Sequence, residues 1–136
     1  EFILLNGQPQ INGIAQKGYQ QTSGARFSPD GSRLVYLAKA GGKWLVVDSG
    51  KEQKAYGAID DEIYFSADSR HLATLVYEGD EEMVVVDGLE GNRYDMVLTI
   101  AGGEVRFDES SGGTSLHYLA ARGNELLLVE ESIQDE

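Results

Sequence analysis

Phe27-Ser28-Pro29-Asp30-Gly31 returns 38 positions later as Phe65-Ser66-Ala67-Asp68-Ser69. A weaker copy, Phe107-Asp108-Glu109-Ser110, follows after a further 42. Leu34 and Leu72 stand seven residues past the first two phenylalanines, and Leu116 stands nine past the third. The two additional residues between Ser110 and Ser115 are expected to widen that turn. A second landmark follows each first one: Trp44-Leu45-Val46-Val47-Asp48, Met83-Val84-Val85-Val86-Asp87 and Leu126-Leu127-Leu128-Val129-Glu130. Phe2-Ile3-Leu4-Leu5-Asn6-Gly7 is a fourth version that precedes any first landmark. A recurrence of about 40 residues means one supersecondary unit built several times.

Each unit reads as short strands. The first is expected to place them at 25–28, 33–38, 44–48 and, on a more polar outer stretch, 54–57. The second places them at 62–66, 71–77, 82–87 and 92–96, and the third at 104–108, 115–120 and 125–129. Pro29-Asp30-Gly31 is turn chemistry, because proline presets φ and glycine accepts a positive one. Ala40-Gly41-Gly42 breaks the strand before Trp44. Trp44 to Val47 and Val84 to Val86 are apolar without alternation, the pattern of strands covered on both faces. No window supports a helix, since apolar runs are short and glycines frequent.

These landmarks resemble the TolB-like, WD-like β-propeller repeat, which also builds the propellers of many prolyl-oligopeptidase-type peptidases. Residues 27–37 match its Phe-Ser-Pro-Asp-Gly hallmark, residues 65–76 match with Ala67 and Ser69 in place of proline and glycine, and residues 107–119 match poorly. The resemblance implies an all-β chain of propeller blades, each of four antiparallel strands, about three to four blades in number. The segments expected are orphan strands over 2–14, a blade over 15–58, a blade over 59–97 and a partial blade over 98–136. A ring of the family's usual size, about six to eight blades, is then incomplete unless the chain is a fragment or an oligomer. Closure by two copies in a homodimer is the favoured expectation. The functional expectation is a non-catalytic scaffold that binds a protein or peptide partner or another copy of itself. The alternative is the propeller fragment of a larger peptidase or hydrolase whose catalytic domain lies elsewhere. The resemblance also leans towards a bacterial extracytoplasmic compartment. The chain opens on Glu1 rather than Met, so it is expected to be a processed or excised piece.

Composition narrows the classes further. The 136 residues suit one ordinary domain, and 41% hydrophobic content is too high for a disordered acidic tail. Eleven basic residues against 23 acidic ones give a formal net charge of -12, which opposes nucleic acid and anionic membranes. No apolar run approaches the roughly 18 residues of a membrane span. Cysteine is absent, which excludes disulfides and thiolate chemistry.

Candidate chemistry is sparse. Asp60-Asp61-Glu62 and Asp80-Glu81-Glu82 are acidic stretches, read as solvated loops with a weak cation site as the alternative. His71 and His117 flank the anchor leucines and lack a metal-binding spacing. Asp30 and Asp68 are read as turn-holding acceptors beside Gly31 and its counterpart. Asp48, Asp87 with Gly88, and Asn6 with Gly7 are read as turns after the third strand. No Gly-x-Ser-x-Gly elbow or phosphate-cradling glycine loop occurs; Gly102-Gly103 and the Ser110-Ser111-Gly112-Gly113 stretch read as loops. Phe27, Phe65 and Phe107, with Trp44, are expected core anchors, and Tyr19 is the aromatic expected to contact a partner. No catalytic residue, cofactor or metal is assigned.

Overall fold

The computed structural model describes residues 2–5, 8–11, 14–15, 18–99, 104–110 and 112–133. Asn6-Gly7, Asn12-Gly13 within the expected orphan strands, Gly102-Gly103 and Ser111 lie outside them. The described chain is all-β, in antiparallel sheets that do not close on themselves. No helix among the described residues is long and apolar enough to cross a membrane.

The orphan strands expected over 2–14 are β1 (Phe2–Leu5), β2 (Gln8–Ile11) and β3 (Ile14–Ala15), paired in that order. The first four-stranded sheet follows as β4 (Gln21–Phe27), β5 (Leu34–Ala40), β6 (Lys43–Asp48) and β7 (Lys51–Glu52). The second is β8 (Ala58–Phe65), β9 (Leu72–Glu78), β10 (Glu81–Val86) and β11 (Leu89–Tyr94). The third contains β12 (Met96–Leu98), β13 (Arg106–Ser110), β14 (Gly113–Arg122) and β15 (Glu125–Ile133). Here β12 and β13 lie end to end along one side of β14, and β15 runs along the other.

The split in the third sheet is an enlarged version of a defect in the other two. Between Ser23↔Leu37 and Arg26↔Val35 the first strand advances three residues against two. Between Ile59↔Val76 and Ile63↔Thr74 it advances four against two. Between Leu98↔Leu119 and Arg106↔His117 it advances eight against two, which cuts the strand in half. All three sheets thus carry a bulge at one place, and extra residues accumulate where pairing is already broken.

Register also revises the repeat read from sequence. The hairpin pairs Ala40↔Lys43 and Glu78↔Glu81 put Trp44 level with Glu82, and Leu45 level with Met83. The matching of Trp44–Asp48 to Met83–Asp87 is therefore one residue out. Asp48 ends β6, whereas Asp87 lies in the following turn, level with Ser49. Ser49 and Gly50 have φ of 50° and 90°, and Asp87 and Gly88 have 51° and 82°. Two successive positive φ values make the turn whose twist suits a two-residue hairpin.

The third turn does not widen as expected. Pairing runs past Phe107↔Leu116 to Ser110↔Gly113, so the extra residues lengthen the ladder. β15 then gains partners beyond Leu116, through Ser115↔Ser132 and Thr114↔Ile133. At the positions where the first two sheets turn, β15 continues straight.

The core lies between sheets. Val35, Leu37 and Val46 of the first sheet meet Ile63 and Leu72 of the second. Ala73, Leu75, Val84 and Val86 of the second meet Leu116, Tyr118, Ala120 and Val129 of the third. Phe65 and Phe107 are half-buried against these clusters, and Trp44 joins the first of them. Phe27 holds the equivalent register position opposite Leu34, yet it is 44% exposed rather than a buried anchor. The reason is position: Phe65 and Phe107 lie over a preceding sheet, whereas Phe27 faces away from the second sheet.

Candidate functional site

The repeated serines and aspartates build a turn and then a seam. In the first turn the Ser28 hydroxyl donates to Asp30 Oδ1 (3.0 Å), which also accepts from the Ser32 N–H (2.9 Å). The Arg33 N–H donates back to Ser28 Oγ at 3.1 Å. In the second turn the Ser66 hydroxyl donates to Asp68 Oδ1 (2.6 Å), which accepts from the Arg70 N–H (3.0 Å), while the His71 N–H donates to Ser66 Oγ (3.0 Å). Ser28 and Ser66 are buried, so each hydroxyl needs the partners it has. Ser69 replaces Gly31 at the positive-φ position, with φ of 64° against 75°.

The turns bind each sheet to the next. The Asp30 N–H donates to Ser69 Oγ at 3.0 Å, and the Asp68 N–H donates to Glu109 at 3.3 Å. Arg33 pairs with Asp48 and donates to the Ser69 carbonyl at 2.8 Å, with its guanidinium 5.9 Å from the Phe65 ring centre. One repeat later His71 bonds Asp87 through Nδ1 at 2.7 Å and stacks on Phe107 at 6.4 Å. A residue before the anchor leucine thus reaches an acid of its own sheet and a phenyl ring of the next. Ser28 and Ser66 recur two residues before the repeated aspartates, which is their signal in the sequence, whereas Arg33 gives way to His71 and carries no such signal.

These bonds make a prediction for acid solution. The hydroxyl and N–H of Ser32, then the Ser28 hydroxyl, hold Asp30 down to about 2. The Ser66 hydroxyl and the Arg70 N–H also lower Asp68. A depressed carboxyl pKa stabilises the fold above the unfolded value, about 4, and that contribution fades as pH falls through the folded value. Carboxyl titration by NMR should therefore place the Asp30 midpoint near pH 2, and Ser28→Ala should move it back towards 4. An Asp30 midpoint of about 4 in the unaltered chain would refute the turn's role.

The acidic stretches separate. Asp60 accepts from the Glu62 N–H at 3.2 Å and from the Tyr77 hydroxyl at 3.3 Å. Burial, then the Asp60 charge, push Tyr77 up to about 12. Asp61 is exposed, and Glu62 stands 3.7 Å from Arg26. Asp80 is exposed in its hairpin loop, Glu81 stands 3.8 Å from Arg93, and Glu82 accepts from the Val97 N–H at 2.8 Å. Among the described residues no three His, Asp or Glu side chains converge in a metal-binding group. His117 bonds Asp108 at 2.5 Å. Tyr19 lies edge-on to Tyr36 at 6.2 Å and donates its hydroxyl to Glu52 at 2.6 Å.

What stands out instead is the outward face of the third sheet. Leu126 is 67% exposed, Leu128 64% and Met96 49%. Register places Leu128 opposite Leu119, Leu126 opposite Ala121, and Leu98 opposite Leu119 on the other side, so these side chains share one face. By the same register Leu119 and Leu128 correspond to Leu37 and Val46, and to Leu75 and Val84, all at most 2% exposed. Beside this sheet, Val86, Leu89 and Glu90 face Glu131 and Ile133 across a cleft of about 550 Å³. The run at 126–129 resembles the doubly covered strands in sequence, so its exposure is invisible without knowing that no further described sheet covers it. Comparison with protein-family models, with curated proteins and with solved structures finds no match.

Proposed function

We propose that the chain is a non-catalytic β-propeller scaffold of the TolB-like kind, whose sheets are successive blades and whose third sheet mediates protein association or self-assembly. The observation that carries this reading is the register match between the pair of half-buried Leu119 and exposed Leu128 and two pairs that the following sheets bury. Full burial of a leucine is worth about 1.5–3 kcal/mol, so covering Leu126 and Leu128 offers a substantial drive to associate. The recurring polar groups support the same reading, since they are engaged in turns and seams.

Sedimentation of the intact chain over about a hundredfold range of concentration tests it. The expected result is reversible association that Leu126→Glu with Leu128→Glu abolishes while the circular dichroism stays unchanged. A monodisperse monomer throughout, identical for the double variant, would sink self-assembly.

A further inference from the structure

The two junctions between the four-stranded sheets differ by one side chain. Register sets Arg26, Tyr64 and Arg106 at one level of β4, β8 and β13, opposite Val35, Ala73 and His117. At the first junction Arg26 reaches across to the second sheet. Its guanidinium donates to the Ile63 carbonyl at 3.2 Å and stands 3.7 Å from Glu62. At the second junction Tyr64 holds the level of Arg26. Val105, buried like Ile63, directly precedes Arg106 as Ile63 precedes Tyr64. A phenol at this level brings no guanidinium to Val105. Residues 100–103 are Ile-Ala-Gly-Gly, so that neighbouring stretch brings no cation either.

Tyr64 and Val105 instead line a cleft of about 410 Å³ with Phe65, Arg106 and Phe107. Its setting favours a cation. Burial, then the charges of Asp60, Glu62 and Glu104, push the Tyr64 hydroxyl up, and Arg26 opposes them. Arg106 stands 3.6 Å from Glu104. Two guanidiniums thus face three carboxylates here, in a chain of net charge -12. The fold lays a cation on a ring elsewhere too, with the Arg122 guanidinium 4.7 Å from the Tyr94 centre. A planar guanidinium can stack on an aromatic face while its edge donates to a carbonyl, which a compact, strongly hydrated ammonium does less well.

We propose that the cleft between β8 and β13 binds an alkylguanidinium, which lies on the Tyr64 ring and donates to the Val105 carbonyl as Arg26 does to that of Ile63. The site lies between two sheets of the chain and does not depend on the outward face of the third. The probes are acetyl-Gly-Arg-Gly-amide and butylguanidinium, each titrated into the intact chain and followed by NMR. Saturable shifts are expected at the Tyr64 ring and at the Arg106 amide, whose peptide carries the Val105 carbonyl. Acetyl-Gly-Lys-Gly-amide should bind about tenfold more weakly. Tyr64→Arg supplies the guanidinium from the chain itself and should abolish binding. Glu62→Gln with Glu104→Gln changes only partly exposed charges, keeps the ring, and should weaken binding about fivefold. Tighter binding of the arginine tripeptide would place the group on a partner chain, tighter binding of butylguanidinium would place it on a free small molecule, and either result upholds the site. Absence of saturable shifts at Tyr64 and Arg106 with both probes would overturn the proposal. So would equal binding of the lysine tripeptide, or unchanged affinity in the doubly substituted glutamine protein.

Discussion

Leu72→Ala is expected to remove about 3–4 kcal/mol of unfolding free energy, while Leu128→Ala should change it by less than about 0.5 kcal/mol. Both positions are leucines in strands, so intrinsic preference cannot separate them. Leu72 is fully buried between the first two sheets, beside Val35, Leu37 and Ile63. Its backbone also terminates the ladder, opposite Phe65, where the second turn begins. Truncation therefore loses the transfer free energy and leaves a cavity that two stiff sheets cannot close. Leu128 is 64% exposed and leaves no such void. Against a typical stability of about 5–15 kcal/mol, the first loss is a large shift in a urea midpoint. Equal midpoints for the two variants would mean that the sheets do not share the buried seam described above.

Strand identity was legible because local chemistry agreed with it. Gly41-Gly42 and Asp87-Gly88 supply positive φ where hairpins need it, and branched residues fill the runs between. The buried turns were legible for a similar reason, since Ser28-x-Asp30 and Ser66-x-Asp68 repeat the same short-range bonds. Register was not. The eye aligns Asp48 with Asp87, but hydrogen-bond pairing aligns Asp48 with Val86. A one-residue shift reverses which face a side chain takes, so this error would exchange core and seam residues.

Other departures have non-local causes. Sequence suggests a strand over 92–96, yet Met96 to Leu98 leaves the second sheet and pairs with β14, while β11 begins earlier at Leu89. The outer stretch at 54–57 reduces to a Tyr56 bridge on Trp44, with the paired strand at Lys51–Glu52. Both changes occur at sheet edges, where turn length decides pairing more than propensity does. The exposure of Leu126 and Leu128 is the extreme case. Their sequence signal matches a covered strand, and only the absence of a further described sheet on that face distinguishes them.

Asp87→Ala is expected to cost about 3 kcal/mol, and Asp87→Asn about 1 kcal/mol. Three losses coincide in the alanine variant. Asp87 Oδ1 accepts from the Leu72 N–H at 2.9 Å, and Oδ2 bonds His71 Nδ1 at 2.7 Å. An ionised carboxylate only accepts, so Nδ1 carries the proton in this pair. Removing the carboxylate strands that donor on a ring whose side chain is 7% exposed. The backbone at φ 51° also suits Asp or Asn better than alanine. Asparagine keeps the turn and an acceptor for Leu72, but surrenders the charge beside His71. Ser49 supplies the control, because it has the equivalent turn position at φ 50° while the neighbouring Asp48 holds Arg33. Ser49→Ala should stay within about 0.5 kcal/mol, since only the exposed turn residue changes. The chemical-denaturation midpoints of the three variants decide the matter. A cost at Asp87 no greater than at Ser49 would show that the aspartate serves the hairpin alone, and that His71 needs no anchor to lie against Phe107.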